Sequence, residues 1–488
     1  MGNSKQITGG LFWKLMERFG VQASQFVLQI ILARLLDPEH YGVLSMMIIF
    51  TTLANVFIQR GFNTSLIQNK DVTEDDYSSV FWVTMLIAAF LYVVLFISAP
   101  FIADFYDMPD LVLPFRVLCL VLFPGALNSI QLAKISRKMD FKKVFRSNVA
   151  AILVSGIVGI ILAFMGAGLW ALVAQNFLNV AVACVVMCFT VKWRPKLLCD
   201  LNRIKVLFSY GWKLLVSSLL DTLYQDLRSL VIGKKYNSGT LGYYNRGKQF
   251  PQFIINAVNT SVQSVMLPAM SAEQENKSKI KNMMRSSITI SSYIICPIMA
   301  GLAGVAEPLV RIILTDKWLP CVPYMQIYCF TLAFIPVHSC NLQAINAMGR
   351  SDIFLKLEII KKAYGLIALI VATLCFQSPI AIALSGLFNT LISFFVNASP
   401  NKKLVDYSYL EQIRDVVPVF IATIIMFLSV LSVSLLKLSP FFTITIQIGV
   451  GIAVYLLISV VFSLAPFNLI LKLIKDFLKS KKSKNKKR

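Results

Sequence analysis

The sequence predicts an all-α polytopic membrane protein of about 14 transmembrane helices, on three observations. The 488 residues are 57% hydrophobic and only 15% charged, and their mean hydropathy is +0.70. Apolar runs of about 20 residues, the length that crosses a bilayer as a helix, recur along nearly the whole chain. Soluble globular proteins of this length do not have such a composition.

Polar loops divide the apolar runs into the predicted spans, and the charge of these loops predicts the orientation. An even number of spans leaves both termini on one side of the membrane. The loops at 134–146 and 192–205 are rich in lysine and arginine, whereas the alternate loops at 101–111 and 166–169 contain neither. The positive-inside rule therefore predicts that both termini are cytoplasmic. The predicted spans are 11–36, 41–60, 80–101, 111–131, 147–166, 169–191, 207–233, 240–267, 284–306, 322–347, 353–376, 378–399, 413–436 and 441–464.

Composition also limits the partners and cofactors to be expected. The net charge of +23 is explained by the basic cytoplasmic loops, so we expect membrane lipids and no nucleic acid as partners. The nine cysteines are scattered and show no disulfide or metal-binding spacing. With only two histidines, we expect no metal site and no cofactor. The segment 467–488 begins amphipathic and ends polybasic, which predicts a tail that lies on anionic lipid.

The second half of the chain repeats the first at an offset that drifts from 200 to 212 residues. Six spans before residue 200 are followed by six after it, and an even count gives both halves the same orientation. The pattern predicts two pseudo-symmetric six-helix lobes at 1–200 and 201–400, two further helices at 401–466 and the basic tail. At an offset of 200, Gln25, Arg34 and Gly42 correspond to Gln225, Lys234 and Gly242.

The first predicted span carries a polar stripe, whose members recur at steps of four, four, three and four and so share one helical face. A charge at the centre of the lipid would cost roughly 2.5–3.5 kcal/mol, so we expect this face to line an aqueous cavity. In the alternative interpretation, Lys14 and Arg34 extend to the headgroup regions. Arg18 lies roughly 7 Å further in than Trp13 and is the better functional candidate. The stripe is Lys14, Arg18, Gln22, Gln25 and Gln29.

The repeat indicates where the other walls of this cavity lie. The counterpart of the first span, 207–233, carries Asp221, Gln225 and Arg228 on one face. A structural salt bridge between helices is an alternative to substrate contact for Asp221 and Arg228. The second span ends on Arg60, which would also lie at the cytoplasmic mouth of the cavity.

The eighth span, 240–267, carries Arg246 and six amides at alternating steps of four and three. Interhelical hydrogen bonds are an alternative use of such amides, but six in register exceed that need, and amides suit sugar hydroxyls. The amides are Asn245, Gln249, Gln252, Asn256, Asn259 and Gln263. The predicted substrate-binding set is Arg18, Gln22, Gln25, Gln29, Arg60, Asp221, Gln225, Arg228, Arg246, Gln249, Gln252 and Asn256, with no catalytic residue and no metal ligand.

Five stretches of the chain resemble the polysaccharide-transport flippases, the Wzx/TuaB-like branch of the multidrug/oligosaccharidyl-lipid/polysaccharide exporter superfamily. The stretches are LARLLDPEHYG at 32–42, GFNTSLIQ at 61–68, QLAKISRKMDF at 131–141, GLWALV at 168–173 and LGYYNRG at 241–247. The resemblance implies an inner-membrane transporter with two six-helix lobes around a central cavity. Such proteins move undecaprenyl-pyrophosphate-linked oligosaccharide to the periplasmic leaflet by alternating access.

The resemblance also bears on the cavity residues. The related lipid II flippases carry cavity arginines in their first helices, which is compatible with Arg18 and Arg60. The amide-rich eighth span departs from the common pattern of a strongly cationic one, and leaves the position of pyrophosphate binding open. The implied partners are the lipid-linked oligosaccharide itself and, as further candidates, other membrane proteins of polysaccharide assembly.

Three functions were weighed against these residues. The leading one is a flippase, not an enzyme, for O-antigen, capsule or exopolysaccharide biosynthesis. Cations would bind the pyrophosphate, amides would bind the glycan, and a lateral gap would accommodate the polyprenyl tail. A sodium- or proton-coupled multidrug extruder is the alternative that Asp221 keeps open. A membrane glycosyltransferase or polymerase would need carboxylates in an exposed loop, and the acidic run 74–76 is interpreted instead as solvated surface.

Overall fold

The computed structural model describes residues 20–60, 62–69 and 71–472. Every regular element in these ranges is an α-helix or a short 3-10 helix, and none is a strand, so the all-α prediction is confirmed for this part of the chain. The described part of α1 covers 20–35. The helices that follow are α2 Pro38–Arg60, α3 Phe62–Gln68, α4 Glu74–Phe105, α5 Val112–Cys119, α6 Leu122–Lys138, α7 Phe141–Phe164, α8 Leu169–Val191, α9 Leu201–Lys235, α10 Ser238–Ser271, α11 Lys277–Gly304, α12 Ala306–Ile313, α13 Val322–Ala333, α14 Ile335–Ala347, α15 Ser351–Cys375, α16 Pro379–Ala398, α17 Asn401–Val405, α18 Tyr409–Val433 and α19 Pro440–Val461.

The chain forms two compact units, Met1–Gly242 and Tyr243–Arg488. The predicted lobe boundary at residue 200 follows the sequence repeat, whereas the contacts keep α9 with the first unit. The reason is that α9 packs on α2, α3 and α4. The division into two pseudo-symmetric lobes stays a prediction.

Ten helical stretches in the described ranges are long and apolar enough to cross a membrane, as expected of a multi-pass membrane protein. Four of the fourteen predicted spans are not among them. The first begins outside the described residues. The spans 207–233, 240–267 and 353–376 are helical, as α9, α10 and α15, but their charged and polar side chains lower their hydropathy. Two of these three are the polar-faced helices assigned above to the cavity.

Pro100 interrupts the hydrogen-bond ladder of α4 and leaves a carbonyl for a neighbouring helix to satisfy. Proline has no N–H, so the Phe96 carbonyl four residues earlier lacks its helical donor. Arg116 of α5 donates from Nε to this oxygen over 3.2 Å, and its guanidinium stacks on the Phe96 ring at 4.0 Å. The arginine therefore replaces the missing backbone bond and fixes α5 against α4.

Three consecutive acids at the start of α4 bind three different segments. Asp76 accepts two hydrogen bonds from Arg203 of α9, and its side chain is only 3% exposed. The interpretation of this acidic run as solvated surface is therefore wrong for Asp76, because its partner lies far along the chain. A hydrogen bond to Asp75 raises the pKa of Lys196, which lies between α8 and α9. The pairs are Glu74 with Lys134 at 2.6 Å, Asp75 with Lys196 at 2.7 Å and Asp76 with Arg203 at 2.8 Å.

An ionic cluster in the second unit ties α11 to α18. Arg285 pairs with Asp415 at 2.5 Å, and Lys281 pairs with Glu411 at 2.9 Å. The Tyr407 hydroxyl, between α17 and α18, donates to Asp415 over 2.7 Å. Burial raises the pKa of Tyr407, so its hydroxyl keeps the proton that this bond requires.

Two helix-to-helix turns of the first unit, α1–α2 and α9–α10, approach each other more closely than side chains permit. A Cβ atom at Gly42 would overlap the Ser238 carbonyl oxygen and lie 2.9 Å from Ser238 Cα. A Cβ atom at Gly242 would overlap the Pro38 carbonyl oxygen and lie 3.3 Å from Gly42 N. The contact is reciprocal at an offset of 200 residues, and it requires glycine at both positions.

Candidate functional site

The polar stripe of α1 is only partly accessible in the first unit. Leu28, which lies next to Gln25 on the helix surface, is buried and packs against Gly156 of α7, where a Cβ atom would lie 3.0 Å from it. Gln25 is exposed, and Gln22 and Gln29 are half-buried. Val27 and Ile31, on the opposite side of the helix, are exposed, so the apolar face is the more accessible one and the lining of a cavity by the polar stripe stays a prediction.

The remaining candidates of the first unit lie mainly on α9, which packs on α2. Gln225 is exposed, whereas Asp221 and Arg228 are half-buried and take part in further interactions. Asp221 and Arg228 lie two turns apart on one face, roughly 10 Å along the helix. Arg18 lies outside the described residues, and for Arg60, the last residue of α2, only the backbone is described.

In the second unit, Arg246 of α10 is buried, with 4% of its surface exposed. Its guanidinium carbon lies 5.1 Å from the ring centroid of Trp318, which is fully buried. Arg246 Nη1 donates to Gln249 Oε1 over 2.6 Å, and Gln249 itself is half-buried. The two residues therefore form a buried cation with a more accessible amide attached to it.

The sequence left two uses open for the other amides of α10, namely substrate contact and hydrogen bonding between helices, and both occur as possibilities along the stripe. Gln252 Nε2 donates to Asn256 Oδ1 over 2.8 Å within the helix. Further along, Ser339 of α14 donates to Asn259 Oδ1 over 2.5 Å and accepts from Gln263 Nε2 over 3.3 Å. Asn259 and Gln263 therefore pack α10 against α14, and the part of the stripe before them remains the candidate binding surface.

An apolar cavity of about 550 Å³ lies beside α10 in the second unit. Pro297 leaves the Tyr293 carbonyl of α11 without its helical donor, and the Tyr455 hydroxyl of α19 donates to that oxygen over 2.9 Å. Gly301 opens onto the cavity, and a Cβ atom there would meet nothing within 4 Å. The sequence does not predict this cavity, because its walls are ordinary apolar faces that are far apart in the chain. Its lining includes Ile254, Pro297, Gly301, Val430, Gly451 and Tyr455.

A buried polar cluster, which the sequence does not predict, joins α14 to α16, α17 and α18. Asn341 and Gln412 exchange hydrogen bonds of 2.8 and 3.0 Å, and Asn401 donates to Asn341 over 2.7 Å. His338 Nδ1 lies 3.3 Å from Asn397 Nδ2. All five residues are buried, and such a network fixes the packing of the helices that share it. The available signal was the presence of amides and a histidine inside apolar runs.

Comparison with two solved structures defines the fold class. The structure aligns with the lipid II flippase MurJ in an inward closed conformation at a TM-score of 0.71 and 15% identity, over 93% of this chain and 98% of that chain. It aligns with an inward-facing multidrug resistance MATE family transporter of the MOP superfamily at a TM-score of 0.61 and 13% identity, over 80% of this chain and 99% of that chain. The chain therefore shares the fold of these two proteins.

The sequence identifies the family within that class. Residues 31–323, more than half of the chain, match the family described as polysaccharide biosynthesis protein, and the chain belongs to this family. It is 23% identical to the teichuronic acid biosynthesis protein TuaB of Bacillus subtilis, over 72% of this chain and 73% of TuaB. It is 21% identical to the lipopolysaccharide biosynthesis protein WzxC of Escherichia coli, over 82% of each. The resemblance to polysaccharide-transport proteins is confirmed.

Two of the stretches that carry this resemblance supply packing contacts in the first unit. Arg137, in the 131–141 stretch, donates to the Leu66 carbonyl at the end of α3 over 2.8 Å. Gly168, in the next stretch, has a φ of +54°, and a Cβ atom there would lie 2.8 Å from His40 Nε2. These motifs therefore specify how the unit is assembled, and the substrate must be argued from the polar and apolar surfaces.

Proposed function

We propose that this protein is a flippase that moves an undecaprenyl-pyrophosphate-linked oligosaccharide from the cytoplasmic to the periplasmic leaflet of the inner membrane by alternating access. Support comes from its family, from relatives named for teichuronic acid and lipopolysaccharide biosynthesis, and from a fold shared with a lipid II flippase. Such a substrate combines an apolar chain with an anionic pyrophosphate and a hydroxyl-rich glycan. Its transporter needs both an apolar and a polar surface.

The observation that carries the proposal is the two-sided character of α10. Ile254 lines the apolar cavity of about 550 Å³, whereas Gln252 and Asn256, two residues before and after it, are bonded to each other in the polar stripe. Two residues turn a helix by roughly 200°, so the apolar and polar faces lie on opposite sides of α10 at the same height. An amphiphile held at this height would place its chain in the cavity on one side of α10 and its polar part along the amides on the other side.

The cavity is tested by filling it. Gly301→Leu adds a side chain at the cavity wall, and Gly449→Leu adds the same side chain on α19 at a position outside the cavity lining. At both glycines a Cβ atom would meet nothing within 4 Å, so both variants should fold normally. We expect Gly301→Leu to slow the transfer of a labelled lipid-linked glycan across proteoliposome membranes, and Gly449→Leu to leave it unchanged. Equal rates in the two variants would contradict a role of the cavity in holding the lipid chain.

The proposed orientation has both termini and the basic loops 134–146 and 192–205 in the cytoplasm, where the substrate is loaded. Arg18 and Arg60 would then lie near the loading side, and an arginine binds phosphate oxygens in a fork without losing its charge at physiological pH. Cysteines introduced in the two loops should resist a membrane-impermeant reagent added to intact cells. Labelling of either loop from outside would contradict this orientation.

A further inference from the structure

The hydrogen bond between Arg246 and Gln249 fixes the chemical character of the Gln249 amide. The two ends of a glutamine amide are easily confused, and their assignment depends on the partner. Arginine has donors and no acceptor, so the atom 2.6 Å from Arg246 Nη1 must be the amide oxygen. The Gln249 NH₂ group is then directed away from Arg246, and no residue of the described ranges accepts a hydrogen bond from it.

The burial of Arg246 makes this NH₂ group a strong donor. With 4% of its surface exposed and its guanidinium over Trp318, Arg246 holds its charge where the surroundings screen it weakly. A hydrogen bond from a cation to an amide oxygen polarises the amide and strengthens the bonds that its N–H groups donate. Lys248, whose Nζ lies 5.9 Å from the Tyr328 ring centroid, adds positive charge to the same turn of α10.

We propose that the Gln249 NH₂ group is a donor subsite for an oxyanion of the transported substrate, with Arg246 as the buried positioning residue behind it. The inference rests on the proposed function and adds the chemistry of one contact. A group that only donates selects an acceptor, and an anionic oxygen gains most from a donor that a cation has polarised. In a lipid-linked glycan that oxygen belongs to the pyrophosphate or to the carboxylate of an acidic sugar. Arg246 therefore acts through Gln249 and does not touch the substrate.

Gln249→Glu separates this role from a structural one. A carboxylate keeps the shape of the side chain and accepts the Arg246 hydrogen bond more strongly, so the thermal unfolding midpoint should stay at or above that of the wild type. It replaces the donor by a negative oxygen, so flipping of a labelled lipid-linked glycan in proteoliposomes should fall roughly tenfold or more. Gln274→Glu, an exposed position between α10 and α11, controls for the added charge.

Binding of two probes distinguishes the sources of the oxyanion. Geranyl pyrophosphate carries the pyrophosphate without a glycan, and glucuronate carries the carboxylate without a lipid. The wild type should bind at least one of them more tightly than Gln249→Glu does, and the probe that shows the difference identifies the source. Arg246→Met should weaken the same probe in the wild-type background and add little in the Gln249→Met background, a coupling that a separate structural role would not produce.

The outcomes are separable from those of the proposed function. Wild-type flipping and probe binding by Gln249→Glu would overturn the subsite. If that variant does not accumulate, Gln249→Met removes the donors without adding charge, and unchanged probe binding there would overturn the subsite equally. If Gln249-dependent probe binding is present while the wild type flips no lipid-linked glycan, the subsite stands and the proposed function falls.

Discussion

Of the three acids 74–76, Asp76 should contribute most to the free energy of unfolding. It accepts from Arg203 Nε over 2.9 Å and from Arg203 Nη2 over 2.8 Å, and it also accepts from the Thr73 backbone N–H over 2.8 Å. Asp76→Asn keeps the volume of the side chain but removes the charge and one of the two acceptors facing Arg203. The neighbouring changes Glu74→Gln and Asp75→Asn make the same chemical substitution at exposed positions.

The expected magnitudes follow from burial. A hydrogen bond to a charged group contributes roughly 1.5–3 kcal/mol, and because the Arg203 side chain is 37% exposed and can be rehydrated, we expect a loss of roughly 2 kcal/mol. For a unit of this size that corresponds to roughly 4–8 °C in the unfolding midpoint. The Glu74 and Asp75 side chains are 57% and 55% exposed, and exposed pairs contribute roughly 0–1 kcal/mol. Asp76→Asn should therefore stand apart from its two neighbours.

The assay is thermal unfolding in detergent, followed with a thiol-reactive dye. Cys119 and Cys184 are buried in the first unit, so their thiols become reactive only when this unit opens. The three variants are compared in the same detergent at the same protein concentration. A midpoint of Asp76→Asn within roughly 1 °C of the wild type, or a fall as large for Asp75→Asn, would refute the argument from burial.

Three further predictions concern single contacts. Arg116→Leu removes the donor that replaces the missing Pro100 N–H, so the unfolding midpoint should fall by the equivalent of roughly 1–3 kcal/mol, and adding Pro100→Ala should restore most of it. Gly42→Ala should reduce the yield of folded protein, whereas Gly239→Ala, whose Cβ would meet its nearest atoms at 3.5 Å, should not; equal yields would contradict the close contact of the two turns. Arg18→Gln should strongly reduce flipping and Arg18→Lys do so in part at normal protein levels, since lysine keeps the charge but loses the fork; normal transport by the glutamine variant would move the phosphate contact elsewhere.

Hydrophobic runs predict well where the apolar part of each helix lies. They predict less well where the helix continues into polar residues. The span predicted at 169–191 is the helix Leu169–Val191, because both of its ends are marked by loop residues. The span predicted from 147 begins instead at Phe141, because the basic turn that includes Lys142 and Arg146 continues the helix beyond the apolar run. The span predicted at 322–347 is divided between α13 and α14 near Phe334, where Pro336 begins the second helix.

The polar stripe of α10 was predictable from its periodicity, but the partner of each side chain was not. Arg246 is flanked by amides in the sequence, and only the fold brings Trp318 over it. Asn259 belongs to the same stripe as Gln249, yet it accepts a hydrogen bond from Ser339 and so packs α10 against α14. Spacing assigns a residue to a face of a helix, whereas burial on that face depends on helices that are distant in sequence.

The proposed function is the movement of a lipid-linked glycan between leaflets. The most direct measurement is reconstitution of the purified protein into liposomes that carry a labelled polyprenyl-pyrophosphate-linked oligosaccharide in one leaflet, with a cationic dye-efflux assay on the same preparation. The account predicts that the labelled glycan becomes accessible in the opposite leaflet at a rate that depends on the protein, while the dye is retained. Efflux of the dye with no movement of the glycan would contradict the account and favour a multidrug extruder.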